Sequence, residues 1–163
     1  MSTDPDLCRE HLAKLLTEEI GCLTQLAELL EREHQILKSN DIVALQLAIK
    51  ERQRCVGRIV RIEDERRSLC RMLGHAADAK GLERLLRWCD PRGTLSADWA
   101  LCTTRAARCR EFNDRNGVLV HARLTRVQAL LGVLTGRAAE FKTYGRGASF
   151  AVARIGRVLT VEA

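Results

Sequence analysis

The stretch SADWALCTTRAARCREFNDRNGVLVHARLTRVQALLGVLTG, residues 96–136, decides the fold. Mostly apolar residues recur in it at alternating steps of three and four. This period of about 3.5 residues is typical of a helix packed lengthwise on another helix. The marked positions are Trp99, Cys102, Ala106, Cys109, Asn113, Asn116, Val120, Arg123, Val127, Leu130 and Leu134. The segment therefore predicts one helix of about 40 residues, which begins after a Thr94 or Ser96 cap and ends at Gly136.

A β-hairpin is the alternative for the middle of this segment, because Asn116-Gly117 is a common two-residue hairpin turn. Gly117 also costs a helix about 1 kcal/mol relative to Ala. However, residues 108–112 lack the alternation of a strand, and the helical period passes through without a shift in phase. The pattern favours the helix.

Two similar periodic segments precede this one. The first predicts a helix over about 6–38, with capping residues and Pro5 at its start, and Asp41 is a good N-cap for the second, which runs to Gly74. Helices of about 32 residues are roughly 48 Å long. The few residues between them force the two helices to run antiparallel as a hairpin.

The remaining segments complete the predicted architecture. Residues 74–95 break the period and contain a short helix at 81–88 and a turn at 90–93, while residues 137–163 are interrupted by glycines and are interpreted as a flexible tail. The sequence thus predicts an all-α protein: an elongated antiparallel bundle of three long helices with a short connecting helix over residues 1–136, followed by the tail.

Composition supports this fold and excludes several functions. Aromatic residues make up only 4% of the chain, and no stretch approaches the roughly 20 consecutive apolar residues of a membrane span. The seven cysteines form no Cys-x-x-Cys pair and are interpreted as reduced core thiols of a cytoplasmic protein. Glu31 and His34 form half of a di-iron motif, but no second copy exists, so a seam histidine bonded to a neighbour is favoured. We expect no enzyme activity, metal, cofactor or small-molecule substrate.

The charge distribution leaves a second class of partner open. Residues 1–41 carry four basic and nine acidic groups, whereas residues 42–163 carry 23 basic and 12 acidic groups. The arginines of the second helix could bind nucleic acid or an acidic protein, which makes a basic helical adaptor the alternative function. Because acidic residues are interspersed and no aromatic platform accompanies them, a salt-bridged surface is favoured and nucleic acid is not expected.

The polar interruption at Asn113, Asn116 and Gly117 in the third long helix has two interpretations. Buried Asn at seam positions can fix the register of the bundle itself. Alternatively, the interruption belongs to a groove for a partner helix, lined by Val120, Val127, Leu130 and Leu134. The residues alone leave both open.

Three stretches resemble the C-terminal half of FlgN-type flagellar export chaperones: residues 112–120, 128–134 and 143–147. The family pattern is Asn-x-x-Asn-Gly-x-Leu, an apolar helix ending in Ala-Leu-x-x-Leu, and a tail with Tyr-Gly. The N-terminal half is similar as well, with Asp41 opening the second helix and Glu65-Arg66-Arg67 near its end.

The resemblance implies a cytoplasmic chaperone of the flagellar type III export system that holds the hook-filament junction proteins FlgK and FlgL unassembled. It implies that their C-terminal amphipathic segments dock on Asn113, Asn116, Gly117, Leu119, Val120, Val127, Leu130 and Leu134. It also implies that Tyr144, with Gly145, engages the export gate protein FlhA. No membrane-spanning part is implied for the chaperone itself.

Overall fold

The computed structural model describes residues 4–135, and within them the chain forms four helices and no strand. They are α1 (Pro5–Ser39), α2 (Ile42–Met72), α3 (Ala79–Cys89) and α4 (Ser96–Thr135). The prediction of an all-α bundle with a short connecting helix is confirmed. Because α4 continues through Asn116 and Gly117, the hairpin alternative is wrong. The predicted tail, 137–163, lies outside the described residues.

A two-residue turn joins α1 to α2. Asn40 takes a left-handed backbone conformation with φ of 63°, which ends α1, and the Asp41 side chain accepts a hydrogen bond from the Ala44 N–H at 2.9 Å, which caps α2. So short a turn leaves the two helices antiparallel and in contact along their length. Caps read from the sequence therefore place the hairpin tip correctly.

The opposite end of the hairpin is closed by α3. Gly74 follows α2 with a left-handed φ of 75°, which stops the helix there. The Asp78 side chain caps α3 by accepting a hydrogen bond from the Gly81 N–H at 2.7 Å. A Cβ at Gly81 would lie 1.8 Å from the Ala76 carbonyl oxygen, so only glycine permits this close turn. The α3 side chain of Leu85 is fully buried.

The helix α1 lies at the centre of the bundle, with α2 packed on one side and α4 on the other. Its wide leucine stripe explains why it contacts two neighbours. The fully buried leucines of α1 are Leu12, Leu16, Leu23, Leu26, Leu30 and Leu37. They form a large part of the buried apolar interior. Helix α4 runs parallel to α1 because α3 returns the chain at the end where α1 begins.

Three side chains of α4, spaced seven residues apart, bond to α1 carbonyls that lie 86 positions earlier in the chain. We call these pairs the rungs: Cys102 donates to Leu16 O at 3.7 Å, Cys109 to Leu23 O at 3.3 Å and Asn116 to Leu30 O at 2.8 Å. The two small thiols allow close approach of the helices. The constant offset shows that α1 and α4 share one register over their whole contact.

All seven cysteines are free and buried, which confirms their interpretation as core thiols. Burial raises the pKa of the thiols of Cys8 and Cys102 to about 12, and that of Cys55 and Cys109 to about 11. These side chains are therefore unreactive packing groups in the folded protein.

Candidate partner-binding site at the end of α4

A polar layer crosses the bundle where the sequence interrupts the seam of α4. The side-chain nitrogen of Asn116 donates to Leu30 O, so its oxygen faces His34 and accepts from the ring nitrogen Nδ1 at 2.9 Å. An amide oxygen can only accept, so Nδ1 carries the hydrogen. His34 is thus a buried seam residue with a hydrogen-bond partner, as the sequence favours.

The same layer reaches the second helix through Asn113. Its side-chain oxygen accepts from Nη1 of Arg52 at 3.2 Å, and Nε of Arg52 lies 3.2 Å from the buried carboxylate of Glu33. Burial raises the pKa of Glu33, and the charge of Arg52 opposes that shift. We call Glu33, His34, Arg52, Asn113 and Asn116 the polar layer. It joins all three long helices at one level.

Both asparagines predicted to bind cargo therefore lie inside the bundle and are hydrogen-bonded there. This arrangement agrees with the first interpretation of the motif, in which the buried asparagines fix the register of the bundle itself. Direct contact of Asn113 or Asn116 with a partner stays a prediction, since the described residues include no partner.

Beyond the polar layer, α4 extends past the hairpin. At the offset of 86, the last residue of α1, Ser39, corresponds to position 125 of α4. Residues 126–135 thus project beyond the tip by roughly 15 Å. The predicted site residues Val127, Leu130 and Leu134 are 52%, 58% and 81% exposed. Apolar side chains of this size at consecutive turns are unusual on a free surface.

These exposed residues continue the seam that packs α4 on α1. At 100° per residue they fall within an arc of about 120°. We call this surface the apolar stripe; its members are Val120, Leu124, Val127, Leu130, Leu131 and Leu134. Its first member is half-buried and the others are exposed. The stripe is therefore a helix-packing face whose partner helix, α1, ends too early to cover it.

Two other predicted site residues lie beside the stripe. Leu119 is half-buried near its edge, and Gly117 is exposed in an open depression that is also lined by Val118 and His121. A Cβ added at Gly117 would meet no atom within 4 Å. No packing contact in the described chain therefore requires a glycine at this position, although it weakens the helix.

Sequence reasoning missed part of this apolar end. Leu124 and Leu131 belong to the stripe at steps of four from Val120 and Val127, and widening the strict seam by one position would have found them. Ile42 and Leu47, in the first turns of α2, are also exposed and lie at the same end of the bundle. They lie off the seam of α2, so no periodic pattern marks them.

The remaining predicted site residues, Tyr144 and Gly145, lie outside the described residues. Their assignment to the export gate stays a prediction.

The arginines of α2 mostly face carboxylates. Arg66 pairs with Glu19 inside the bundle and lies 5.0 Å from the ring centre of Trp99, and Arg67 pairs with Glu63 at 2.6 Å. Arg52 and Arg58 also contact acidic residues of α1. These ion pairs agree with a salt-bridged surface and give no support to a nucleic-acid interface.

By length and composition alone, one helix in the described part of the chain, α4 over Ser96–Leu134, is long and apolar enough to cross a membrane. One such helix is weak evidence for a membrane span. Arg123 and Arg126 also lie among its apolar residues, and each would cost about 3 kcal/mol at the centre of a membrane-spanning helix. The apolar stripe is better explained by a protein partner.

Fold and site together define a class of protein: an elongated helical bundle with an apolar helix end that no other helix within residues 4–135 covers. The comparisons make this specific. The chain belongs to the FlgN family, since the model of the family described as FlgN protein matches residues 8–149. That range includes the polar layer, the apolar stripe and Tyr144.

A crystal structure from Pseudomonas aeruginosa, described as a flagella synthesis protein FlgN, is similar to the chain. The two share 28% sequence identity with a TM-score of 0.62, over 82% of this chain and 99% of that chain. No curated protein matches the chain. Family and fold thus place the protein in flagellum synthesis and support, in general terms, the role of a flagellar export chaperone.

Proposed function

We propose that this protein is a cytoplasmic export chaperone that binds the C-terminal amphipathic segments of FlgK and FlgL, keeps them unassembled and delivers them to the type III export gate. The observation that carries the proposal is the apolar stripe on the last turns of α4, which no other described helix covers and where Val127, Leu130 and Leu134 are exposed. A stripe of this kind fits the apolar face of a partner helix.

In this proposal the predicted cargo residues have different tasks. The side chains of Val120, Val127, Leu130 and Leu134 contact the apolar face of the cargo helix, and Leu119 extends that contact at its edge. Gly117 provides room for close approach of the cargo backbone, because nothing in the described chain occupies the space above it. Asn113 and Asn116 do not reach the surface; their hydrogen bonds inside the bundle hold α4 in place next to the site.

The chemistry of such a site suits a chaperone that must release its cargo. A segment that is disordered when free loses conformational entropy on binding, so the affinity is moderate for the area buried. Delivery is proposed to use Tyr144 and Gly145, which would dock on FlhA. This part is supported by the resemblance to the family, and no contact among the described residues bears on it.

Calorimetric titration of the full chain with C-terminal segments of FlgK and FlgL, at low and high salt, tests the proposal. We expect saturable one-to-one binding with a negative heat-capacity change, which persists at high salt because apolar burial is insensitive to ionic strength. Absence of binding to both segments would reject the proposed function. Binding that disappears steeply with salt would instead favour the basic adaptor.

A further inference from the structure

The rungs between α4 and α1 do not by themselves fix the register of the two helices. They repeat every seven residues and end on equivalent main-chain carbonyls of Leu16, Leu23 and Leu30. A shift of α4 by one heptad, about 10.5 Å toward the start of α1, would bring Cys109 to Leu16 O and Asn116 to Leu23 O. The thiol rungs are therefore compatible with more than one register.

Apolar burial favours the shifted register. At the new offset, Leu130 would lie beside the buried Leu37 of α1, and part of the apolar stripe would be covered by the end of the hairpin. Removing apolar surface from water is favourable. Some other contact must hold α4 in the register that leaves its stripe exposed.

The polar layer is a buried contact of this kind; the Arg115–Glu31 and Arg105–Thr24 pairs also join α4 to α1, but they are only partly buried. In the observed register, the buried ring of His34 donates to Asn116, and Arg52 donates to Asn113. In the shifted register, Val120 and Arg123 would take the places of the two asparagines, and neither side chain has an acceptor. His34 and Arg52 would then lose partners in the interior, which opposes the shift.

We propose that Asn113 and Asn116 are positioning residues that hold α4 in the one register in which the apolar stripe is uncovered and available to a partner. The consequence for cargo binding rests on the function proposed above. The register itself is a property of the isolated chain, and it can be measured without cargo.

A second feature could fix the register instead. The carboxylate of Asp90 accepts from the Leu95 N–H at 2.8 Å and from the Thr94 hydroxyl at 2.7 Å, which anchors the chain just before α4. If this anchor and the neighbouring α3 prevent α4 from shifting along α1, α4 keeps its position whatever residues occupy 113 and 116. The two explanations give opposite results for the same variant.

The experiment measures the distance between spin labels on Glu10→Cys and Val118→Cys. Both positions are exposed and the seven natural cysteines are buried, so the folded protein can be labelled selectively. Position 118 corresponds to position 32 of α1, which gives an axial separation of about 33 Å, and a heptad shift shortens it to about 22 Å. A second pair, Glu10→Cys with Leu47→Cys, reports on the α1–α2 hairpin and serves as the control.

The test variant is Asn113→Leu with Asn116→Leu, and Asn113→Ala with Asn116→Ala is made alongside in case leucine is too large for the layer. We expect a population with the first distance shortened by about 10 Å, an unchanged control distance, and at least a tenfold loss of affinity for the cargo segments. An unchanged first distance in a fully helical variant would overturn the inference. If the distance shifts but the unmodified protein binds neither segment, the proposed function fails and the inference stands.

Discussion

The guanidinium of Arg66 pairs with the carboxylate of Glu19 between α2 and α1, and both side chains are almost completely buried. The same guanidinium lies over the ring of Trp99, so one side chain of α2 contacts both α1 and α4. A buried charge that loses its partner is costly, because nothing replaces the water it gave up.

We therefore expect Arg66→Ala to lower the free energy of unfolding by about 3–5 kcal/mol, since it leaves Glu19 buried and unpaired. The matched control is Arg58→Ala, whose partner Glu18 is half exposed at 3.9 Å, and which should cost about 0–1 kcal/mol. Urea unfolding followed by circular dichroism measures both. Similar losses for the two variants would contradict the special role of the buried pair.

The buried carboxylates also predict how stability depends on pH. Burial raises the pKa of Glu19, Glu33 and Glu63 above the ordinary value of 4.5, although neighbouring arginines oppose the shift. The folded protein therefore binds protons at a higher pH than the unfolded chain, and stability through these groups rises as pH falls from 7 toward 4.5. Asp90, whose pKa is lowered by its hydrogen bonds despite desolvation, loses its contribution only in stronger acid.

Urea midpoints between pH 7.5 and pH 5 measure this effect. We expect the midpoint to increase on acidification and the increase to become smaller in Glu19→Gln with Glu33→Gln, which removes two of the three groups. A midpoint that falls steadily over the same range would show that the arginines dominate and that these carboxylates are ionised without cost.

The apolar stripe predicts which substitutions abolish cargo binding. We expect Val127→Asp with Leu130→Asp to reduce affinity for the FlgK and FlgL segments below detection while the protein stays helical, because both side chains are exposed in the free protein. The control is Leu7→Asp, which is 57% exposed but lies in the first turn of α1, at the opposite end of the bundle. It should bind normally in the same titration. Retained binding in the double variant would remove the stripe from the site.

How much of this could be predicted from the sequence depends on what a periodic pattern encodes. The periodic seams and the capping residues predict the helix boundaries closely. The helix predicted over about 6–38 is Pro5–Ser39 in the structure, and Asp41 caps α2 as predicted. The short helix is predicted at 81–88 but begins at Ala79, because Asp78 is its cap. These are local features, set within one or two turns of the residues that encode them.

The exposure of the stripe depends instead on the register between α1 and α4, which a heptad pattern leaves open. A sequence in which Leu16, Leu23, Leu30 and Leu37 repeat every seven residues fits several offsets equally well. The same degeneracy explains why Asn113 and Asn116 could be placed on a seam but not assigned to the interior or to a partner. The contacts of the two asparagines with Leu30 O, His34 and Arg52 place them in the interior.

Gate docking predicts a variant that separates delivery from cargo binding. We expect Tyr144→Ala to leave the affinity for the FlgK and FlgL segments unchanged and to reduce their secretion, because Tyr144 is the only tyrosine in the chain and follows the cargo-binding helix. Secretion assays in a strain that carries the variant are compared with titration of the purified protein. Loss of cargo affinity would place Tyr144 in the cargo site instead.

Gly117 predicts a substitution that stabilises the protein and weakens its function. A methyl group at this exposed helical position meets nothing within 4 Å, so Gly117→Ala should raise the free energy of unfolding by about 1 kcal/mol. If the cargo backbone approaches here, the same methyl group blocks it and the affinity for cargo falls. Gly57→Ala in α2 is the matched control, since its Cβ is equally unobstructed and it lies far from the stripe in sequence. It should give a similar gain in stability with unchanged binding, whereas an unchanged affinity in Gly117→Ala would mean that the cargo backbone stays clear of Gly117.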